Sequence, residues 1–343
     1  MKFKKKVIAA TVLGLLSSSH VFAQESGFGN WIVTGSIRQD TAIKTTNDQN
    51  PMNASGNLFN GVQVANTSGL NYDINRPSSF SKTQNLNLNA TQARLNFDGK
   101  FDDNWSTSIK IRAYRDNLAS NGNSMEQSFG ANKNAGQLGA ANGRTLVDLP
   151  ALYADYNQGP LWIRMGNQQI AWGEAVFFRI SDLANGLDLR RHSVLDVASE
   201  EFSDTRISSP GVRATYRLNE SNQIEGFVQK FAPTVLPKIG SAYNPIPSQF
   251  YVDQAPGYDA VKNNLNFGSR YQGRLDSADM GYQLFIVNRN NPDGVYRWAA
   301  PKAGVAGTGT PIAGSAFSIN STGVYNSQEW FKYASLSKLD GVG

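Results

Sequence analysis

The chain has 343 residues, of which 40% are hydrophobic and 17% charged, and it contains no cysteine. Without cysteine it can form neither disulfides nor cysteine-ligated metal sites. Beyond residue 23 there is no run of 18 or more apolar residues, which excludes a helical membrane bundle, since each spanning helix needs roughly 20.

The first 23 residues have the pattern of an export signal. Four lysines among the first six residues precede an apolar run over 7–16, and Val-Phe-Ala at 21–23 offers a cleavage site after Ala23. The run is shorter than the roughly 20 residues that a membrane anchor needs, so we expect residues 1–23 to be a cleaved signal peptide. The remainder holds 28 basic and 27 acidic residues, which gives no reason to expect a nucleic-acid partner.

Apolar and polar side chains then alternate in short segments, and residues 105–114 show this most clearly. One parity carries Trp105, Thr107, Ile109, Ile111 and Ala113, and the other carries Ser106, Ser108, Lys110 and Arg112. Because successive side chains of a strand point to opposite faces, this segment is predicted to be a strand with one apolar and one polar face.

Taken in chain order, similar segments predict a first strand at 31–38 and then four hairpins. The hairpins pair 86–97 with 105–114, 151–156 with 161–168, 212–218 with 223–231, and 265–275 with 278–287. Short turns rich in Gly, Asn, Asp and Pro join the strands, for example at 157–160, 219–222 and 276–277. Between the hairpins we expect long connections at 115–150, 169–210, 232–264 and 288–322. The apolar parity switches between Leu88 and Ala93, which predicts a β-bulge there.

Regular alternation of short and long connections is uncommon in soluble β-sandwiches and typical of outer-membrane barrels. The sequence therefore predicts an all-β fold, an antiparallel transmembrane β-barrel over residues 24–343 with short periplasmic turns and long extracellular or inward loops. A soluble sandwich is the alternative. The chain ends at Gly343 without a terminal aromatic strand, so we expect an incomplete barrel of about ten strands whose C-terminal strands are missing.

The segment 162–191 carries the most distinctive motif. It contains Arg164-x-Gly-x-Gln168, then Trp172-Gly-Glu174, and finally Asp188-x-Arg190-Arg191, with Pro210 before the next strand. This arrangement resembles the exported Gram-negative family known as domain of unknown function 1302. The resemblance implies an outer-membrane barrel that moves hydrophobic or amphiphilic compounds. It also implies a periplasmic carrier and an inner-membrane pump of the resistance-nodulation-division type as partners.

The parity of strand 161–168 indicates where its charges point. Arg164 and Gln168 share one face, and a charge facing lipid near the midplane would cost roughly 2–4 kcal/mol, so this face is predicted to line the lumen. The lumen or constriction candidates are Arg164, Gln168, Trp172, Glu174, Asp188, Arg190 and Arg191. We expect arginine–carboxylate pairs among them to form one network that pins an inward loop and selects permeants by charge. The alternative is a purely structural plug, with Trp172 as a packing residue.

The remaining chemistry of the sequence is sparse. Once the signal is removed, His192 is the one histidine left, and its neighbours Ser193 and Asp196 on a loop do not make a catalytic triad. We therefore predict no catalytic, cofactor or metal site and no enzyme activity. The expected location is the outer membrane, with its lipid, lipopolysaccharide and barrel-assembly machinery as partners. The expected function is transport of hydrophobic or amphiphilic compounds within an export or efflux system. The alternative function is a non-transporting surface barrel, such as an adhesin, receptor or structural anchor.

Overall fold

The computed structural model of the protein describes residues 20–24, 30–43, 86–118, 124–125, 138–173, 184–191, 202–236, 258, 261–294, 297–299, 318–320 and 328–338. The strands are β1 (His20–Gln24), β2 (Trp31–Ile43), β3 (Leu86–Lys100), β4 (Trp105–Asp116), β5 (Gly139–Asn142), β6 (Thr145–Gln158), β7 (Leu161–Gln168), β8 (Ser209–Arg217), β9 (Asn222–Lys230), β10 (Leu265–Leu275), β11 (Met280–Asn290), β12 (Arg297–Ala299), β13 (Ser318–Asn320) and β14 (Gln328–Lys338). A four-residue helix, α1 (Phe202–Thr205), precedes β8, and a 3-10 turn covers Asp276–Ala278. Within these ranges no helix has the length and apolarity needed to cross a bilayer.

Twelve strands form one antiparallel sheet that follows the chain. Its order is β1-β2-β3-β4-β6-β7-β8-β9-β10-β11-β14, with β5 paired to β6, while β12 and β13 pair separately. Every predicted hairpin is therefore confirmed as an antiparallel pair. Short connections lie at one end of the sheet, the short-turn end, and long connections lie at the other, the long-loop end. Among the described residues no ladder joins the edge strands β1 and β14.

Local polar contacts stabilise the short turns. Asp102 Oδ1 accepts the backbone N–H groups of Asn104 and Trp105, each at 2.8 Å, where β3 turns into β4. Gly159 has φ +58°, a left-handed conformation that glycine adopts without strain, between β6 and β7. Turns form at the three predicted places, although Asn157, Gln158 and Asn222 belong to the flanking strands.

Two sequence predictions are wrong near the long-loop end. Residues 115–150 are not a continuous connection, because β5 forms at Gly139–Asn142 and β6 already begins at Thr145. The alternation was hidden because the register between β4 and β6 shifts between Lys110 and Arg112. Strand β14 was also missed, although it pairs with β11 over its whole length.

The β-bulge predicted between Leu88 and Ala93 is also wrong. β2 and β3 pair without interruption over this interval, and the register shift lies earlier, opposite Ala42 and Ile43. Apolar side chains change parity here for another reason. Ala90 belongs to a buried cluster with Tyr114, Met125 and Leu146, and the partly buried Leu88 packs against it. Both side chains therefore face the interior of the protein rather than the apolar side of the sheet.

The two faces of the sheet have opposite chemistry. On the covered face, which the long segments overlie, buried polar side chains include Gln92, Arg112, Asp148, Glu225, Gln229, Asn266 and Arg270. On the open face, large apolar side chains are between 38% and 56% exposed, namely Ile37, Leu95, Leu152, Met165, Val212, Ile224, Val228, Phe267, Leu284 and Ile286. Water-soluble antiparallel sheets pack their apolar face onto a core. This sheet is inverted, because its apolar face is the open one and its polar face is the covered one.

The long segments pack on the covered face near the long-loop end. One hydrophobic cluster joins loop residues to strand residues and consists of Ile170, Trp172, Ala184, Phe227, Phe285 and Val287. Residues 184–191, the inward segment, are all buried and form bridges from Leu187 to Arg206 and from Asp188 to Val235. The interior of the protein is therefore filled by its own chain at this end.

Candidate functional site

Charged side chains form a row across the covered face, on five neighbouring strands. Asp155 of β6, Arg164 of β7 and Arg213 of β8 are successive cross-strand partners, and Glu225 of β9 faces Arg270 of β10. Arg164 Nε and Nη2 donate to the two carboxylate oxygens of Asp155 at 2.7 and 2.8 Å. This is the bidentate geometry that makes arginine–carboxylate pairs strong and directional. We refer to these five residues as the charged row.

Glu225 is the centre of the covered half of the row. Its carboxylate lies 2.6 Å from Arg213 Nε and 2.7 Å from Arg270 Nη2, and it is 2% exposed. Trp172 Nε1 donates to the same carboxylate at 2.5 Å. The Trp172 ring packs edge-on against Phe227, with centroids 5.1 Å apart, and the Arg270 guanidinium lies 5.2 Å from it. Through these contacts Trp172 holds the connection between β7 and β8 against the sheet.

The other half of the row is more open. The side chains of Arg164 and Arg213 are 23% and 18% exposed. The Arg164 guanidinium lies 3.7 Å from the centroid of the Tyr153 ring and 5.0 Å from that of Trp162. Arg213 lies 5.2 Å from the same Trp162 ring. Two cations thus share one aromatic side chain, in the distance range of cation–π contacts.

A second charged group lies in the inward segment. Arg190 Nε and Nη2 donate to the carboxylate of Asp188 at 2.9 and 2.8 Å, and its Nη1 donates to the carbonyl of Met125 at 2.7 Å. Arg191 Nε lies 3.6 Å from the same carboxylate. Burial raises the pKa of Asp188, but the two arginines and their hydrogen bonds outweigh it and hold the pKa below its ordinary value. Asp188 therefore remains an anion between its arginines.

Asp204 of helix α1 links the inward segment to the strands. Its carbonyl accepts from Arg191 Nη2 at 2.6 Å and from Arg112 Nη1 of β4 at 2.9 Å. Its carboxylate lies 2.5 Å from Arg94 Nη2 of β3. Arg112 also forms a bidentate pair with Asp148 of β6. We refer to Arg94, Arg112, Asp148 and Asp204 as the Asp204 junction, and it was not predicted from the sequence.

The candidates predicted from the sequence therefore fall into separate places. Arg164 pairs with Asp155 of β6, whereas Asp188 pairs with Arg190 inside the inward segment. The expected single network also includes Glu174, so it stays a prediction. Gln168 is buried, and its Nε2 donates to the carbonyls of Arg164 and Gly211, each at 3.1 Å. Glu174 and His192 lie outside the described residues. In the part of the chain that the structure describes, no three His, Cys, Asp or Glu side chains converge as a metal site.

The fold and this site define a class of protein: an all-β protein whose antiparallel sheet has an apolar open face and a charged face covered by its own long segments. The chain belongs to the family described as protein of unknown function DUF1302, whose model matches residues 3–300. The family named from the sequence is thereby confirmed. No curated protein matches the chain.

Proposed function

We propose that this protein is an outer-membrane β-barrel that transports hydrophobic or amphiphilic compounds. The inverted sheet carries the proposal, because outer-membrane barrels turn apolar side chains to lipid and polar ones to the lumen. Soluble monomers rarely expose contiguous apolar patches larger than a few hundred Å². Here partly exposed large apolar side chains occur on every long strand from β2 to β11, so lipid is the environment that suits the open face.

Aromatic residues at one end of the open face support the same proposal. The rings of Trp105 and Tyr156 are tilted against each other with centroids 5.0 Å apart, and those of Tyr271 and Tyr282 lie 5.8 Å apart. Tyr216 occupies the same level of β8 and is 46% exposed. All lie near the short-turn end. Barrels carry such girdles at the membrane–water interface, where an aromatic ring can contact lipid while its polar atom contacts water.

Strand length is consistent with a bilayer. On β4 the open face runs from Trp105 to Ala113, which spans roughly 26 Å along the strand at about 3.3 Å per residue. Tilted at about 40°, this length covers roughly 20 Å, close to the apolar band of about 25 Å in outer-membrane barrels. The paired strands β2 to β4 and β6 to β11 have 8 to 15 residues, which includes the roughly 9–11 that a spanning strand needs.

The rest of the proposal follows the family resemblance. Residues 1–23 act as the export signal, and its cleavage after Ala23 leaves only Gln24 of β1, so β2 becomes the edge strand of the mature chain. The barrel-assembly machinery inserts this chain among lipopolysaccharide and lipid. A periplasmic carrier and an inner-membrane pump are its partners in efflux or export. The charged row and the Asp204 junction hold the long segments in the lumen, so that a permeant moves along a charged wall of fixed geometry.

A second candidate function is supported by the inward segment. Its Asp188, Arg190 and Arg191 are at most 2% exposed, so this part of the lumen is filled. A barrel that is filled throughout would be a surface receptor, adhesin or structural anchor rather than a transporter. The two functions differ in whether solute can cross the barrel.

Permeability of reconstituted vesicles tests the proposal. The full chain in liposomes should let a small uncharged sugar enter faster than in protein-free liposomes of the same lipid. Arg112→Gln should increase the rate, because it frees helix α1 from β4. The matched control is Arg274→Gln at the short-turn end, where the arginine side chain is 53% exposed, and it should leave the rate unchanged. Vesicles as tight as the protein-free ones, with both wild type and Arg112→Gln, would favour the non-transporting barrel.

A further inference from the structure

Two arginines of the charged row face each other directly. Arg164 and Arg213 are cross-strand partners of β7 and β8, and side chains in this relation have Cβ atoms about 4.5–5.5 Å apart. Like charges placed directly opposite each other destabilise a sheet. An anion that contacts both guanidinium groups would remove this penalty.

The acidic residues of the row do not balance its arginines. Within the row, Asp155 forms an ion pair with Arg164 only, whereas Glu225 forms ion pairs with both Arg213 and Arg270. Three cations therefore face two anions, which leaves an excess charge of +1 in the row. Among the described residues, Nη1 of Arg164 and Nη1 of Arg213 donate no hydrogen bond. Both arginines thus keep donors for a further acceptor.

The surroundings of these two donors combine apolar and aqueous character. The Trp162 ring lies within 5.2 Å of both guanidinium groups, and the Tyr153 ring of β6 lies 3.7 Å from the guanidinium of Arg164. The open half of the row is partly exposed, whereas Glu225, in the covered half, is 2% exposed beneath Trp172. The two partly exposed guanidinium groups thus lie beside one aromatic ring on the covered face.

We propose that Arg164, Arg213 and Trp162 form a binding subsite for the anionic headgroup of an amphiphile, with a carboxylate as the simplest form. The carboxylate accepts hydrogen bonds from Nη1 of both arginines, and the first carbons of the apolar tail lie against Trp162. This inference rests on the proposed transport function and names its substrate class. Amphiphiles with an uncharged head lack the acceptor that the two arginines need, so the subsite discriminates by charge.

Quenching of tryptophan fluorescence by a brominated amphiphile tests the subsite. The full chain in lipid nanodiscs is titrated with decanoate that carries bromine beside the carboxylate, and then with the matching brominated decanol. Partitioning into lipid gives a linear loss of fluorescence with both probes, because other tryptophans lie near lipid. Occupation of the subsite adds a saturable component with the decanoate only, and Trp162→Phe should remove that component.

The arginine variants make the test specific. Arg164→Gln and Arg213→Lys should each raise the half-saturation concentration by roughly tenfold or more, as expected for losing one charge-assisted hydrogen bond. Arg213→Lys retains a positive charge beside Glu225, so that this buried carboxylate is not left unpaired and the variant still folds. The control Arg217→Gln removes a positive charge from the same strand near its short-turn end and should change the value less than twofold.

Sugar entry into liposomes, measured on the same preparation, separates the two proposals. Saturable quenching that depends on Trp162 and both arginines supports the subsite. Rapid sugar entry with purely linear quenching overturns the subsite and leaves transport intact. Liposomes that admit sugar no faster than protein-free ones overturn the transport proposal. They also overturn the subsite as a binding site for a permeant, regardless of the quenching result. Equal saturable quenching by decanol, or an equal effect of Arg217→Gln, overturns the proposed recognition of the anionic head.

Discussion

Removing the ion pair between Arg112 and Asp148 should reveal how strongly the covered face depends on buried charge. Their side chains are 4% and 8% exposed, and the pair is bidentate. Breaking a buried pair by removing one partner typically costs about 3–5 kcal/mol, because the remaining charge stays desolvated. Water in a lumen would lower this cost, so we expect Arg112→Gln and Asp148→Asn each to destabilise the protein by about 2–4 kcal/mol. The double variant should lose less than the sum, with a coupling of roughly 2 kcal/mol.

The assay is urea unfolding of the refolded full chain in lipid vesicles, followed by tryptophan fluorescence. The matched control is the pair between Arg274 and Asp276, whose side chains are 53% and 72% exposed. Exposed pairs couple by roughly 0–1 kcal/mol. A coupling between Arg112 and Asp148 as small as that of the control pair would show that the charged interior is well solvated.

Three further predictions concern the inward segment. Gly186→Ala should destabilise the protein by about 1–3 kcal/mol, because a Cβ at this position would lie 2.4 Å from backbone atoms of the neighbouring segment. Gly226→Ala, where the nearest atom would be 3.7 Å away, should be tolerated in the same unfolding assay. The pKa of Asp188 is depressed, so its stabilisation is complete well above the ordinary carboxylate pKa of about 4 and is lost progressively as pH falls from there through the depressed value. Hydrogen-exchange protection of the Arg190 amide, corrected for intrinsic rate, should therefore be equal at pH 7 and at about pH 5.5, and a fall at about pH 5.5 would contradict it. Arg94→Gln should raise sugar entry into liposomes by releasing the carboxylate of helix α1, and an unchanged rate would show that this contact does not hold the segment.

Much of the sheet could be predicted because hairpins are local. Side-chain alternation and turn residues lie within about 30 residues of each other, so strands β7 and β10 were predicted with their observed bounds. The partner of Arg164 could also have been found. With a turn at Gly159-Pro160, hairpin register places Asp155 opposite Arg164, and a carboxylate in that position is the nearest acid on the same face.

Contacts between distant segments could not be predicted in the same way. The pair of Arg112 and Asp148 lies at a register shift between β4 and β6. Simple alternation of side chains therefore does not predict that these two residues share a face. Asp204 and Met125 lie in long connections, where no periodicity indicates which strand a residue meets. Leu88 was misassigned because it is apolar on the covered face, where the long segments supply a hydrophobic cluster.

Whether the open face contacts lipid is tested most directly by spin labels at neighbouring positions of two strands. The chain has no cysteine, so single cysteines at Gln223, Ile224, Gln283 and Leu284 can each carry one label in the membrane-reconstituted full chain. Labels at Ile224 and Leu284 should collide readily with oxygen, which concentrates in lipid, and rarely with a water-soluble nickel complex. Labels at Gln223 and Gln283 should show the opposite preference, because strand neighbours point to opposite faces. Equal access of the nickel complex to all four positions would contradict a lipid-facing sheet.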